Sequence, residues 1–236
     1  MLAPSHRRTL ALSHLMKQLI IAIDGPSGAG KGTVARTLSQ SLGYRHIDTG
    51  AMYRAVAWKA ILEGLSLDDE RAVADLARRA RIVVEGGVVL IDEQDVTRAI
   101  RTPEIDRAAA AVARLSRVRE IMVARQRTLG EAGGVVMEGR DIGTVVFPGA
   151  DLKIYLDASA DERARRRAAD AAHTGGEAGQ EAVAASIAAR DRSDTTRAVS
   201  PLTLAPDAAY IDTTGMPIDA VVAEVMDLVR GRISDS

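Results

Sequence analysis

The strongest structural signal in this 236-residue chain is the motif Gly25-Pro26-Ser27-Gly28-Ala29-Gly30-Lys31-Gly32-Thr33. An apolar run from Gln18 to Ile23 precedes them and predicts a buried strand, and Thr33 to Leu42 has helical spacing. A strand, a loop with the spacing Gly-x4-Gly-Lys and a helix together form an arrangement that binds phosphate. Glycines let backbone N–H groups converge on phosphate oxygens, while the helix dipole and Lys31 add positive charge. We therefore predict that these residues bind ATP, with Lys31 exposed in the loop; a glycine-rich turn beside a chance lysine is the alternative.

The residue that follows the loop lysine differs from the usual pattern. Gly32 stands where a hydroxyl residue is usual, and Thr33 comes one place later. Magnesium is therefore expected to depend more on water and nucleotide oxygens than on a side-chain hydroxyl. Glu138 ends an apolar strand, a position suited to a carboxylate that orients magnesium-bound water, with a helix-capping acid as the alternative. Thr33 and Glu138 are the candidate, indirect contacts of Mg²⁺.

Composition excludes several classes of protein. The chain has no cysteine, which excludes disulfides, zinc–thiolate sites, iron–sulfur clusters and a cysteine nucleophile. Aromatic residues make up only 3%, too few for stacking single-stranded nucleic acid, and the net charge of −1 does not indicate a nucleic-acid or membrane partner. The run Leu19–Ile23 is too short to cross a bilayer. We expect a cytoplasmic protein in which residues 1–17 are a disordered tail or an over-long start, with Met16 as the alternative start.

Apolar runs and helical repeats alternate along most of the chain. Strands buried on both faces are typical of parallel sheets, so the alternation predicts an α/β fold with helices on both faces of a parallel central sheet. Residues 81–91 instead predict an antiparallel hairpin on the turn Gly86-Gly87, which indicates an insertion. The predicted strands are 18–23, 46–48, 135–137, 152–156 and 210–212, and the predicted helices are 33–42, 51–63, 68–80, 107–129, two within 158–189, and 218–229.

Two segments that contain arginine follow the ends of predicted strands. The first is Asp48-Thr49-Gly50-Ala51-Met52-Tyr53-Arg54, and the second is Glu138-Gly139-Arg140-Asp141. Ligands of parallel sheets bind outside the carboxyl ends of the strands, so both segments and the phosphate loop should face one cleft. A surface ion pair is the alternative for each arginine taken alone. The convergence of three segments favours a site for a phosphorylated acceptor.

A third basic cluster surrounds the glycine-rich residues 174–177. Residues 163–167 contain four arginines before this interruption, and residues 190–197 contain three after it. A solvated, charged helix is the usual interpretation of such a run. Here the charge flanks a flexible connection rather than covering a continuous face. This favours a flap over residues 158–189 that closes on phosphates when both nucleotides are bound.

Taken together, these segments closely resemble bacterial cytidylate kinases. The resemblance extends from about residue 18 to the C-terminus, whereas the phosphate loop alone would indicate only nucleotide binding. The hairpin agrees with it, because these kinases carry an inserted small sheet in their monophosphate-binding domain. The segments that carry the resemblance are Gly25–Thr33, Asp48–Arg54, Ile100–Thr102, Arg117–Arg119, Glu138–Pro148, Lys153–Ala158 and Arg190–Arg197.

The resemblance also implies roles for individual residues. Arg54, Arg140 and Arg197 would hold the phosphate of CMP, while Arg119 and Asp141 would read its cytosine. The implied CMP-binding residues are Thr49, Arg54, Arg101, Arg119, Arg140, Asp141, Arg190, Asp194 and Arg197, and the implied catalytic residues are Lys31, Arg140, Arg190 and Arg197.

Two further details concern the sugar and the base. By the same resemblance, Arg190 and Asp194 would contact the sugar of CMP from the lid side. Where the family often has a serine that helps bind the base, this chain has Ala110. One polar contact to the base is therefore expected to be missing, which lowers the expected selectivity against uracil.

The implied activity is transfer of the γ-phosphoryl group of ATP, with Mg²⁺, to CMP or dCMP, which forms CDP or dCDP and ADP. The implied fold is a P-loop three-layer sandwich with a parallel central sheet, a monophosphate-binding domain containing a small antiparallel sheet, and a helical lid. We expect a monomer with no nucleic-acid or membrane partner. The expected division is a tail (1–17), a core (18–47, 130–157 and 198–236), a monophosphate-binding domain (48–129) and a lid (158–197).

Two other functions share the phosphate loop. A different P-loop kinase, for another nucleoside monophosphate or for shikimate, would lack the hairpin and the segment that begins at Glu138. A nucleotide sensor without catalysis would bind ADP or ATP and would not need an arginine-rich flap.

Overall fold

The computed structural model describes residues 18–169 and 180–234. The predictions for the tail, for the start at Met16 and for residues 174–177 fall outside these ranges. The elements follow in the order β1 (Ile20–Asp24), α1 (Lys31–Leu42), β2 (Arg45–Asp48), α2 (Thr49–Leu62), α3 (Glu70–Arg79), β3 (Ile82–Glu85), β4 (Val88–Ile91), β5 (Gln94–Asp95), α4 (Pro103–Val112), α5 (Ser116–Gly130), β6 (Val135–Glu138), a π-helical turn (Ile142–Val146), β7 (Leu152–Asp157), α6 (Ala160–Ala169), α7 (Gln180–Thr196), β8 (Ala209–Asp212) and α8 (Ile218–Ser234).

The central sheet has five parallel strands in the order β2-β6-β1-β7-β8. Successive side chains of a strand point to opposite faces, and both faces of this sheet are covered. Ala22 and Met137 pack into the core that contains residues of α2 and α5. Ile21, Ile23 and Val136 pack into the core that contains residues of α1 and α8. The predicted α/β class, with a doubly covered parallel sheet, is confirmed.

The predicted hairpin is confirmed and belongs to a second sheet. Strands β3 and β4 pair antiparallel, and Gly86 (φ 58°) and Gly87 (φ 86°) form the turn between them. Such turns need positive φ at both central residues, which glycine provides without strain. A third strand, β5, was not predicted, because two exposed residues are too few to show a pattern. The sheet packs through Val89 and Ile91 against α2, the helix that carries Arg54.

The single helix predicted over residues 107–129 is wrong. The structure has two helices there, α4 and α5, and the chain turns at residues 113–115 between them. Helix α4 begins earlier than predicted, because the hydroxyl of Thr102 accepts a hydrogen bond from the N–H of Ile105 and Pro103 occupies the first turn. The alanine-rich sequence before the turn contains no glycine or proline that would mark a stop. The turn matters for the site, because it supplies a backbone acceptor to Arg119.

Within the described ranges, no helix is long and apolar enough to span a membrane. The two helices predicted within residues 158–189 correspond to α6 and α7. These helices pack together through Ala164, Val183 and Ile187, which form a small core of their own. The predicted division into core, monophosphate-binding domain and lid stays a prediction.

Candidate active site

The phosphate loop and the segments that contain arginine meet around one cleft of about 720 Å³. It lies at the edge where β1, β2 and β6 end, because parallel strands bring their carboxyl ends together. The acidic residues Asp24, Asp48 and Glu138 end these three strands. The predicted residues that line the cleft are Ser27, Gly28, Ala29, Gly30, Lys31, Gly32, Thr33, Thr49, Arg54, Arg101, Arg119, Glu138, Arg140, Asp141, Arg190, Asp194 and Arg197.

Two glycines give the phosphate loop its shape. Gly25 has a φ of 145°, and a Cβ at this position would overlap the carbonyl oxygen of Leu156. Gly30 precedes α1 in a left-handed conformation and has no side chain with which to cap the helix. The first N–H groups of α1 therefore lack a side-chain acceptor, and the helix dipole favours an anion beside them. Gly25 and Pro26 shape the loop from outside the cleft lining.

Lys31 is buried, so the prediction that it lies exposed is wrong. Only 6% of its surface is accessible, and its Nζ donates a hydrogen bond to the carbonyl oxygen of Pro26 at 2.7 Å. Burial, together with the positive charges of Arg140 and Arg190, lowers the pKa of Lys31 to about 7. The sequence places Lys31 in a loop, but the fold packs that loop against α6, where Arg163 donates a hydrogen bond to the carbonyl oxygen of Ser27. A phosphate bound in the loop would supply the counter-charge that the lysine needs.

Two strand-end carboxylates lie behind the loop. Asp24 accepts hydrogen bonds from the N–H groups of Ile142 and Gly143 at 2.8 and 2.7 Å, and burial raises its pKa to about 6. Glu138 lies 2.9 Å from the Nε2 atom of His46. A Cβ at Gly32 would come within 3.2 Å of the Glu138 carboxylate. A side chain at position 32 would therefore crowd the Glu138 carboxylate.

Guanidinium groups from three parts of the chain line the cleft, namely Arg54 in α2, Arg140 after β6, and Arg190 and Arg197 in and directly after α7. Arg54 donates to Asp48 at 2.8 Å, and Arg140 pairs with Asp194 at the same distance. Some N–H donors of these guanidinium groups remain without an acceptor. The buried atoms Nε of Arg54, Nε of Arg190 and Nη2 of Arg197 have no hydrogen-bond partner among the described residues. Unpaired buried donors of this kind are costly, so an anionic ligand would be well accommodated here.

A buried pair of opposite charges adjoins these arginines, with the Oδ1 atom of Asp141 lying 3.6 Å from the Nη2 atom of Arg197. Arg119 and Asp141 are hydrogen-bonded, and their side chains are only 3% and 9% exposed. Arg119 also donates to the carbonyl oxygen of Ala113 at 3.4 Å and lies over the ring of Tyr53, 5.8 Å from its centroid. Ala110 lines the cleft nearby. Paired donor and acceptor groups of fixed geometry can distinguish heterocyclic bases.

Arg163 and Arg166 hold α6 against the phosphate loop and Thr213. Arg163 donates to the carbonyl oxygen of Ser27 at 3.1 Å and to Asp191 at 2.6 Å. Arg166 donates to the hydroxyl and the carbonyl oxygen of Thr213 at 2.8 and 2.6 Å. Arg163 therefore braces the loop, whereas Arg166 lines the cleft beside it.

Three residues near the site were missed in the sequence. Tyr53 lies within a segment that was singled out, but nothing in that segment distinguishes it from the neighbouring helical residues. His46 lies in a predicted strand, and no local pattern indicates its contact with Glu138. Asp106 pairs with Arg167 of α6 and Arg190 of α7, and it lies just before the predicted start of the helix at residue 107.

The chain matches the family model described as Cytidylate kinase over residues 21–231. It is 47% identical over 221 residues to a cytidylate kinase of Solibacter usitatus, and the match covers 93% of this chain and 95% of that protein. It is 51% identical over 213 residues to a cytidylate kinase of Desulforamulus reducens, with 89% and 96% covered.

A solved structure of an uncharacterized protein from Eubacterium ventriosum shares the fold. The TM-score is 0.52 at 11% identity, and the superposition covers 90% of this chain and 99% of that one. At this identity the likeness concerns the fold alone.

Proposed function

The chain belongs to the cytidylate kinase family and is thus a nucleoside monophosphate kinase, and we propose that it forms CDP from CMP and dCDP from dCMP, with ADP as the second product. One observation carries this proposal. The cleft is lined both by a phosphate loop and by a group of arginines with unused buried donors. A donor and an acceptor that both carry phosphate would each find positive charge there.

The reaction needs no general base. A phosphate monoester oxygen of CMP is already anionic near neutral pH, so the protein has to position it and neutralise the charge of the transferring group. Lys31 and the N–H groups of the loop would hold the phosphates of ATP. Arg54, Arg140 and Arg197 would hold the phosphate of CMP in line with the γ-phosphoryl group.

The buried pair would select the base. Asp141 would accept a hydrogen bond from the N4 amino group of cytosine, and Arg119 would donate to its N3 and O2 acceptors. Uracil would present its O4 to the carboxylate and its N3–H to the guanidinium, which leaves groups unpaired. Ala110 offers no hydroxyl, so this pair would carry most of the discrimination.

The remaining predicted residues would surround the acceptor. Arg190 and Asp194 would contact the sugar from α7, and Arg190 would also face the transferring group. Thr49 and Arg101 line the cleft and would contact the acceptor. Residues 158–197 would form the lid, which closes when both nucleotides are bound and excludes water, so that the γ-phosphoryl group passes to CMP and not to water.

Mg²⁺ fits the donor set of this site. In the described part of the chain, no group of three or more His, Cys, Asp or Glu side chains could hold a metal ion by itself. Thr33 is exposed at the cleft, and Glu138 lies beside the loop. Such oxygen donors suit a magnesium ion that keeps several waters and binds nucleotide phosphates. When bound, the ion would neutralise charge on the β- and γ-phosphates, while Thr33 and Glu138 orient its waters.

An acceptor screen tests this function. ADP release is followed by a coupled assay with ATP and Mg²⁺ and with CMP, dCMP, UMP, AMP, GMP or shikimate as acceptor. We expect turnover with CMP and dCMP that greatly exceeds turnover with the others. Preference for another acceptor would contradict the base assignment, and nucleotide binding without ADP release would favour a sensor.

A further inference from the structure

Asp106 gathers arginines from three elements, although neither the sequence motifs nor the family resemblance gives it a role. It lies in the first turn of α4, and its side chain is 13% exposed. Arg167 of α6 is hydrogen-bonded to it, and the Nη1 atom of Arg190 in α7 lies 3.2 Å from its Oδ1 atom. The Nη1 atom of Arg54 in α2 lies 4.0 Å from the same oxygen.

These contacts cross between two parts of the molecule. Arg167 and Arg190 belong to the helices of the proposed lid, whereas Arg54 and Asp106 belong to the proposed monophosphate-binding segment. Asp106 is not among the residues that line the cleft. It therefore acts on the cleft through the arginines that it contacts.

The charges around Arg190 show why this carboxylate matters. Burial lowers the pKa of Arg190, and the positive charges of Arg140 and Arg54 lower it further, whereas Asp106 and Asp194 raise it. Without Asp106, three guanidinium groups would lose a shared counter-charge in a largely buried place. Their repulsion would move the lid helices away from α4, because breaking one side of a buried pair leaves an uncompensated charge.

We propose that Asp106 is a positioning residue that joins the lid to α4 and thereby keeps Arg190 beside Arg54 for binding of the acceptor nucleotide. Only the expected effect on CMP binding and turnover rests on the proposed function; the junction between the lid and α4 does not. The joined arrangement is the binding-competent one, and the apparent affinity for CMP falls in proportion to the fraction of molecules that leave it.

The test compares Asp106→Asn with Asp106→Glu and with the control Asp75→Asn. Asn removes the charge and keeps the shape, and Glu keeps the charge. Asp75 pairs with Arg78 on an exposed face of α3, so its loss alters no contact of the lid. Amide hydrogen exchange without nucleotide measures the junction itself, and kcat and KM for CMP and ATP measure its effect. Unfolding midpoints establish that each variant is folded.

For Asp106→Asn we expect faster exchange in α6 and α7 and a KM for CMP raised about tenfold, while the KM for ATP changes far less. Asp106→Glu should recover part of both effects. Arg167→Gln should also speed exchange in α6 and α7. The double variant Asp106→Asn, Arg167→Gln should exchange little faster than Asp106→Asn alone, because both changes break the same junction.

Exchange and kinetics equal to those of Asp75→Asn would overturn the proposal, as would faster exchange with an unchanged KM for CMP. If the unmodified protein does not phosphorylate CMP, the proposed function fails. The exchange measurement still decides in that case whether Asp106 joins the lid to α4.

Discussion

Replacing Asp141 by asparagine separates reading of the base from bracing of the arginines. The substitution keeps the shape of the side chain, but it adds an amide donor that can pair with O4 of uracil. The ratio of kcat/KM for CMP to that for UMP should therefore fall. A good pair of contacts to a base discriminates by about 1–3 kcal/mol, which corresponds to roughly 5- to 160-fold in this ratio.

The structure also predicts a cost in stability. Asp141 is hydrogen-bonded to Arg119, and its Oδ1 atom lies 3.6 Å from the Nη2 atom of Arg197. Both arginines are buried, with 2% and 6% of their surface exposed. Loss of the carboxylate leaves them without this counter-charge, so the free energy of unfolding should fall by about 3 kcal/mol. The kinetics must accordingly be measured well below the midpoint of thermal unfolding.

Asp191→Asn is the matched control. Asp191 pairs with Arg163 at 2.6 Å, so its loss also weakens an ion pair of the lid region. The residue is not part of the cleft lining. This control should lose stability while the ratio for CMP and UMP stays that of the unmodified protein.

The assay is steady-state ADP release for CMP and UMP with the unmodified protein, Asp141→Asn and Asp191→Asn. Equal loss of activity on both acceptors in Asp141→Asn, with an unchanged ratio, would refute the base-reading role. Asp141 would then only brace Arg119 and Arg197.

Two other predictions concern the loop and the lid. Lys31→Met should lower turnover by about 100-fold or more, because the loop loses its positive charge. Since burial lowers the pKa of Lys31 to about 7, the folded protein binds fewer protons than the unfolded chain between pH 7 and its ordinary value of 10.5. The stability of the unmodified protein relative to Lys31→Met, measured by urea unfolding, should therefore rise with pH in that window, and parallel stability curves would contradict the assignment. Amide exchange in α6 and α7 should slow more with ATP and CMP together than with either alone; identical exchange under all conditions would exclude a lid.

Most of the fold follows from local signals in the sequence. Buried strands that end in Asp24, Asp48 and Glu138 predict a parallel sheet with a site at its carboxyl edge, because topology brings these ends together. The loop glycines and the turn Gly86-Gly87 require backbone conformations that few other residues adopt. Such requirements act within a few residues, so sequence patterns show them.

The parts that were missed depend on contacts between distant segments. Buried Lys31 lies near the charges of Arg140 and Arg190, which are more than a hundred residues away in sequence. The turn after Val112 carries no breaker residue and follows from tertiary packing. Asp106 acquires its partners only when α4 meets α6 and α7, and no local pattern marks that meeting.

Phosphoryl transfer from ATP to CMP is tested most directly by following the γ-phosphoryl group itself. The protein is incubated with CMP, Mg²⁺ and ATP labelled with ³²P at the γ-phosphate, and the products are separated by chromatography. We predict that the label appears in the β-phosphate of CDP in equal amount to the ADP formed. Label found only in inorganic phosphate, with CMP unchanged, would contradict phosphoryl transfer to CMP in this cleft.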